Sequence, residues 1–361
     1  MGSQGQNLSR ESGHAVERQS WIDLARGICI TLVVMMHFDE VYFTHLNVPE
    51  LAKKVSDNLT SLARPARMPT FFFISGYLAS RALIKPIKVA AEKRIFLLYW
   101  TYLIWSIICV SILYLLFENF SSENTLRFFE RIALEAIFPQ TSTWFLYGLV
   151  LFFIIAKIFR NYPRIAIAIA LIFSCFSDVF IGSALSEMIR TLPYFLAGIY
   201  FPSLFLRAGD PGGGWRSVFA VAILYGIFLI PLVLLDRNLP GIWLPPTFVG
   251  IVLLLQISRN LDRVPGVDFI RYVGRNTLPI YVMHVIILIC IRTFSEDVIS
   301  LETGWALAFS LAGNLALIAF CLLLHTFLKK LGFGWLFALP DFLRSRLISA
   351  RGQVERQPEA V

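Results

Sequence analysis

Charged residues are scarce in this chain. Asp, Glu, Lys and Arg fill only 16% of its 361 positions, where a soluble domain carries about 25%. That shortage argues against a water-soluble enzyme. Cysteine is also sparse. The five thiols (Cys29, Cys109, Cys175, Cys290, Cys321) each sit in an apolar run and form no CxxC pair. This argues against a structural zinc site and a disulfide framework, and no metal is expected. The first twenty residues, MGSQGQNLSRESGHAVERQS, lack the apolar core of a signal peptide. Gln6 stands where a myristoylation motif needs Ser or Thr. These residues read as a disordered cytoplasmic leader. No fixed-period or inverted repeat is evident. The glycines of GDPGGGW (Gly209 to Trp215) lack the Lys-Ser/Thr of a phosphate-binding loop and read as a linker.

What is abundant is apolar surface. Hydrophobic residues make up 57% of the chain, and the mean hydropathy is +0.68. The apolar runs approach the roughly 20 residues that a helix needs to cross a bilayer. Ten such runs can be drawn, at about 22–42, 68–84, 95–117, 144–159, 164–180, 191–206, 217–235, 241–257, 273–294 and 304–328. The expected fold is an all-α polytopic membrane bundle of about ten transmembrane helices. Residues 21–330 form the membrane domain and 331–361 a basic cytoplasmic tail. The net charge of +8 fits this picture. With the N-terminus inside, the long basic clusters fall on the cytoplasmic side, and so does the C-terminus. Nucleic acid is not an expected partner; membrane lipids are. The stretch 117–138 falls outside and carries the spacing of an amphipathic surface helix.

Within the first run lie three ionisable residues, Asp23, Arg26 and His37. Eleven residues are three helical turns plus about 20°, so Arg26 and His37 share a face, about 16 Å apart along the axis. Asp23, three residues before Arg26, lies where it can orient or neutralise the guanidinium. Taken singly, Arg26 also reads as a snorkelling helix-end residue, and His37 as a packed neutral imidazole. Together they point to a polar shaft, because ionisable groups within spans usually face a cavity or pathway. A guanidinium suits phosphate, and an imidazole suits proton abstraction from a hydroxyl near neutral pH. A second such pair is Tyr281 and His284, spaced to share one face of the ninth run. Arg64 and Arg67 fall at the outer end of the second run. Exposure at a helix end is the simpler account of both, and contact with an anionic acceptor the other.

Several of these stretches resemble the membrane acyltransferase 3 family. DLARGICITLVVMMH is similar to its first helix, a basic residue followed after ten positions by histidine. MPTFFFISGYLASR (Met68 to Arg81) resembles its second helix, with a Phe-Phe-x-x-Ser-Gly-Tyr element. EKRIFLLYWTYLIW, TWFLYGLVLFF and GRNTLPIYVMH resemble later elements, so the likeness runs in order from Trp21 to about Leu328. It implies an O-acyltransferase that moves an acyl group, commonly acetyl from acetyl-CoA, onto a hydroxyl of an extracytoplasmic glycan or lipid. It implies His37 as general base, with Arg26, Arg94 and Lys93 holding the donor phosphates. Ser75, Gly76 and Tyr77 would line the same cavity, Ser75 or Tyr77 stabilising an oxyanion. His284 would assist catalysis, and Tyr281, Trp144 and Arg67 would meet the acceptor. Direct transfer and a covalent acyl-histidine both stay open. Two departures stand out. Leu98 replaces a proline common in relatives, and TSTWFLYGL lacks the His and Glu of a large subgroup. That places the chain nearer the stand-alone members and leaves no carboxylate expected beside Trp144. The rival function is a proton-coupled transporter or flippase of a glycan or lipid precursor, since intramembrane Arg and His also build proton relays.

Overall fold

A computed structural model describes residues 19–86, 94–117, 122–177, 183–235, 239–295 and 302–340. Lys93, His14 and most of the expected leader and tail lie outside these residues. Among the described residues the chain is helical, without strands. In order, the helices are α1 (Ser20–Val41), α2 (Glu50–Leu83), α3 (Phe96–Phe117), α4 (Ser122–Ile137), α5 (Trp144–Ile158), α6 (Pro163–Cys175) and α7 (Ser183–Tyr200). Then come α8 (Pro202–Ala208), α9 (Trp215–Leu234), α10 (Leu244–Leu261), α11 (Asp268–Arg275), α12 (Thr277–Phe294) and α13 (Thr303–Lys330).

Each apolar run is occupied by helix, but the runs are not ten equal spans. Among the described residues six helices are long and apolar enough to cross a membrane, or seven if a bent pair counts as one. That pair is the expected sixth run. Pro202, which cannot donate a backbone N–H to the preceding turn, opens α8, and the chain turns by 92° between α7 and α8. The ninth run breaks at Asn276 into α11 and α12. α5 and α6 are short, at 15 and 13 residues.

The second run differs most from its expectation. α2 does not begin near Met68 but at Glu50, and it runs for 34 residues through Pro65 and Pro69. A proline removes one helical hydrogen bond and crowds the preceding turn. Side chains cap carbonyls close to that disturbance. Arg67 Nη1 donates to the Thr60 carbonyl (3.3 Å) and the Tyr225 hydroxyl to that of Leu62 (2.6 Å).

α1 is the hub and touches α2, α10, α11, α12 and α13. It is 56% buried within its apolar window, against 17% for α9, whose Phe219, Ile223, Ile227 and Val233 face outward. Glycines let the central helices approach closely. A Cβ on Gly76 would lie 2.2 Å from the Phe195 carbonyl oxygen, and one on Gly198 would lie 2.1 Å from that of Phe73. α2 and α7 therefore cross backbone to backbone, a packing that small residues permit in membranes. Gly27 and Gly274 do the same for α1 and α11. At that end Ser20 Oγ donates to Asp262 (2.6 Å), and Arg271 bridges Asp262 (2.9 Å) and Asp268 (2.7 Å). Those two carboxylates raise the Arg271 pKa above its usual value. Just beyond α13, residues 331–340 lie against α3. Trp100 and Trp105 donate their indole N–H groups to the carbonyls of Trp335 and Leu336.

Candidate functional site

Two helix faces frame the site. On α1, Arg26, Val33, His37 and Glu40 follow one another by seven, four and three residues and so share a face. On α2, Arg64, Met68, Phe71, Ser75 and Leu78 do the same. α1 and α2 pack together, and with α5 and α12 these stripes enclose two cavities.

The first cavity, about 250 Å³, is lined by Arg26, Ser75, Arg94 and Thr277 among largely apolar walls. Arg26 Nη2 donates to Thr277 Oγ1 (2.6 Å), and the guanidinium carbon lies 6.0 Å from the Phe71 ring centre. Arg94 donates to the Leu78 carbonyl. Ser75 Oγ donates to the Phe71 carbonyl one turn back (2.8 Å). Asp23 is buried and pairs with Arg275 (3.2 Å), which ties α1 to α11.

Gly76 and Tyr77 were expected beside Ser75, but they turn elsewhere. Each residue rotates a helical side chain by about 100°, which carries Gly76 onto the α7 backbone. Tyr77 reaches Gln19 (3.5 Å) outside both cavities.

The second cavity, about 460 Å³, is the more polar of the two. His37 lies on its wall, with Glu40 3.6 Å from its Nδ1. Trp144, Tyr281 and Arg67 line it as well. α7 contributes Glu187 and Arg190, and Trp243 comes from the turn before α10. Glu187 pairs with both Arg64 (3.2 Å) and Arg190 (2.9 Å). Those two guanidiniums also stack on Trp243, at 5.5 and 5.3 Å. Arg67 is not an exposed helix-end residue. Because α2 continues back to Glu50, Arg67 sits mid-helix at 4% exposure.

His284 stands behind His37, with ring centres 5.2 Å apart, and is fully buried. Its Nδ1 lies 2.9 Å from the Ile280 carbonyl. A carbonyl can only accept, so Nδ1 carries the proton. Nε2 is then a bare acceptor, and it has no hydrogen-bond partner among the described residues.

Tyr281 lines both cavities and marks the wall between them. Phe145 and Phe71 continue that wall in edge-to-face contacts at 5.3 and 4.9 Å. The single shaft expected from α1 is thus divided. The Tyr281 hydroxyl donates to the Ser142 carbonyl and accepts from the Phe145 N–H (3.1 Å). The loop carrying those groups is in turn held by Glu135. This buried carboxylate accepts from the N–H groups of Gln140 (3.1 Å) and Thr141 (3.0 Å) and from the Thr141 hydroxyl (2.6 Å). Glu135, nine positions before Trp144 in sequence, thus serves the loop. Glu40, Glu135, Glu187, Arg190 and Trp243 all escaped the sequence reading. Glu40 alone had a usable signal there, at i+3 from His37.

Among the described residues no three His, Cys, Asp or Glu side chains converge as metal ligands do.

Comparison with known proteins adds the family. A family model described as an acyltransferase domain matches residues 19–336. The inner membrane protein YcfT of Escherichia coli (strain K12) is 26% identical over 299 residues, covering 75% of this chain and 80% of that protein. No solved structure matches. The family match covers most of the chain, which therefore belongs to this acyltransferase family as a multi-pass membrane protein.

Proposed function

We propose that this member of the acyltransferase family is an O-acyltransferase of a bacterial-type inner membrane. It takes an acyl group, acetyl from acetyl-CoA in the simplest case, from a thioester arriving from the cytosol. It delivers that group to a hydroxyl of an extracytoplasmic glycan or lipid. About ten membrane passages with both termini in the cytosol fit this reading, and the first cavity then opens inward and the second outward. One observation carries it: Arg26 and His37 stand on the same face of α1, each lines a cavity, and the two cavities share Tyr281.

The residues divide the work. At about 250 Å³ the first cavity falls below the roughly 300–1,000 Å³ of sites that engulf a whole ligand. It suits a slender thioester arm, with Arg26 and Arg94 placed for phosphate oxygens and Lys93 three positions before Phe96 in sequence. In the second cavity His37 accepts the proton of the acceptor hydroxyl as its oxygen attacks the thioester carbonyl. The carbon–sulfur bond then breaks, and the thiol leaves with a proton returned from the imidazolium. Glu40, 3.6 Å from Nδ1, steadies the charged ring. General base catalysis of this kind contributes about 10²–10⁴-fold. His284 packs behind His37 and sets its orientation. The Tyr281 hydroxyl, already engaged on both sides, acts by holding the wall; its ring must shift for donor and acceptor to meet.

The divided path also fits a transporter, in which two half-cavities open in turn. One experiment separates the two. Purified protein in detergent, with no gradient across any membrane, is given radiolabelled acetyl-CoA and a mixture of envelope glycans and lipids. Label appearing on an acceptor or as free acetate supports the transferase. Retention of all label on the donor, together with gradient-driven movement of a glycan in vesicles, supports the transporter.

A further inference from the structure

Arg67 is the least satisfied cation of the second cavity. It is 4% exposed, yet it lines that cavity. Its guanidinium meets only neutral groups, the Thr60 carbonyl (3.3 Å) and the Met36 sulfur. Its Nε is buried without a hydrogen-bond partner among the described residues. No carboxylate of the described residues pairs with it. The two nearby arginines are treated differently, since Arg64 and Arg190 share Glu187. Glu40 and Glu187 favour its charge only from a distance; a buried guanidinium with no anion in direct contact is costly to maintain, and a buried donor left unmade adds to that cost. Both penalties vanish if an oxyanion from outside occupies the cavity.

The rest of the wall says what carries that oxyanion. Three arginines face two glutamates, so the lining favours a negatively charged guest. Trp144, Trp243 and Tyr281 offer aromatic surfaces, while Thr60, Ser61 and Thr191 offer hydroxyls. That mixture suits a sugar ring or a polar headgroup rather than an acyl chain. At about 460 Å³ the cavity is within the range of sites that enclose a small molecule. His37 stands on the same wall, next in sequence to Met36, the residue that Arg67 touches.

We infer that the second cavity is an oxyanion-recognising acceptor site, in which Arg67 binds a phosphate or carboxylate borne by the same molecule that offers its hydroxyl to His37. Naming that molecule as the acyl acceptor rests on the function proposed above; the anion site itself does not. Arg67 binds substrate, and a guanidinium is suited to either oxyanion in a two-pronged contact.

Binding is the readout, so the outcome does not depend on turnover. Full-length protein in detergent is titrated calorimetrically with glucose, glucose 1-phosphate and glucuronate. At least one anionic sugar should bind about 10-fold or more tightly than glucose, and that advantage should shrink as salt rises. Preference for glucose 1-phosphate identifies a phosphoester, and preference for glucuronate a carboxylate. Arg67→Gln should abolish the preference, and Arg67→Lys should keep part of it. Equal affinity for all three sugars in the unaltered protein, or no binding by either anion, overturns the inference whether or not the variants fold. So does an Arg67→Gln protein that folds and keeps the full preference. Acyl transfer without anion preference leaves the transferase standing and removes this site. Anion preference without transfer does the reverse.

Discussion

The two cavities share helices and one tyrosine but differ in nearly every other respect. The first is narrow, mostly apolar and carries two arginines that already lean on neutral oxygens, those of Thr277 and Leu78. The second is nearly twice as large and holds an imidazole, three arginines, two glutamates and two tryptophans. A narrow apolar slot gains little from recognising its occupant in detail; it needs to admit a flexible chain and hold one charged end. A wide polar chamber lined by fixed charges and aromatic faces discriminates, because each mismatched group leaves a buried charge unpaired. On the function proposed above, reaction chemistry and substrate choice concentrate in one chamber, and delivery in the other.

Three substitutions test that division. His37→Ala removes the base and should cut acyl transfer by at least about 10²-fold while the protein still inserts and folds. Steady-state transfer with monodisperse variant protein is the measurement, and normal turnover would return His37 to a packing role. Arg26→Ala acts on the other chamber. It should raise the KM for acetyl-CoA about 10-fold and leave the acceptor KM unchanged, the cost of one charge-assisted contact. Equal change in both KM values would mean that the chambers are not separate in function. The smallest effect is expected from Tyr281→Phe, which keeps the ring and loses the hydroxyl bonds to Ser142 and Phe145. Loosening the wall should raise acceptor-independent hydrolysis of acetyl-CoA by about two- to five-fold, on the scale of one neutral hydrogen bond. Unchanged hydrolysis would place the barrier on the Phe71 and Phe145 rings alone.

Much of the fold is written in hydropathy, and the exceptions have physical reasons. The first half of α2 was invisible because Lys53, Lys54, Asp57 and Arg64 break the apolar run, while the helix survives through its contacts with α1, α10 and α13. The breaks at Pro202 and Asn276 lie inside runs whose average hydropathy is high, so a window long enough to detect a span smooths over them. On α1 the stripe from Arg26 to Glu40 follows from helical period alone. On α2 the same period separates Ser75, on the cavity side, from Gly76, on the α7 side; the sequence motif groups neighbours that the helix pulls apart. Glu187, Arg190 and Trp243 reach the second cavity from more than 100 residues beyond Arg67, and no local spacing encodes that meeting. Membership of the acyltransferase family was legible from the opening helices, and the family match bears it out.

The barrier across the bundle is clamped by a connection, the short and partly buried stretch between α4 and α5 that Glu135 gathers. Connections of this kind open at lower free energy than packed helices. Passage between the chambers can then be timed by the fraying of a few residues at one rim, with the helical frame left at rest. A guest that touches that rim would act as the key to its own reaction.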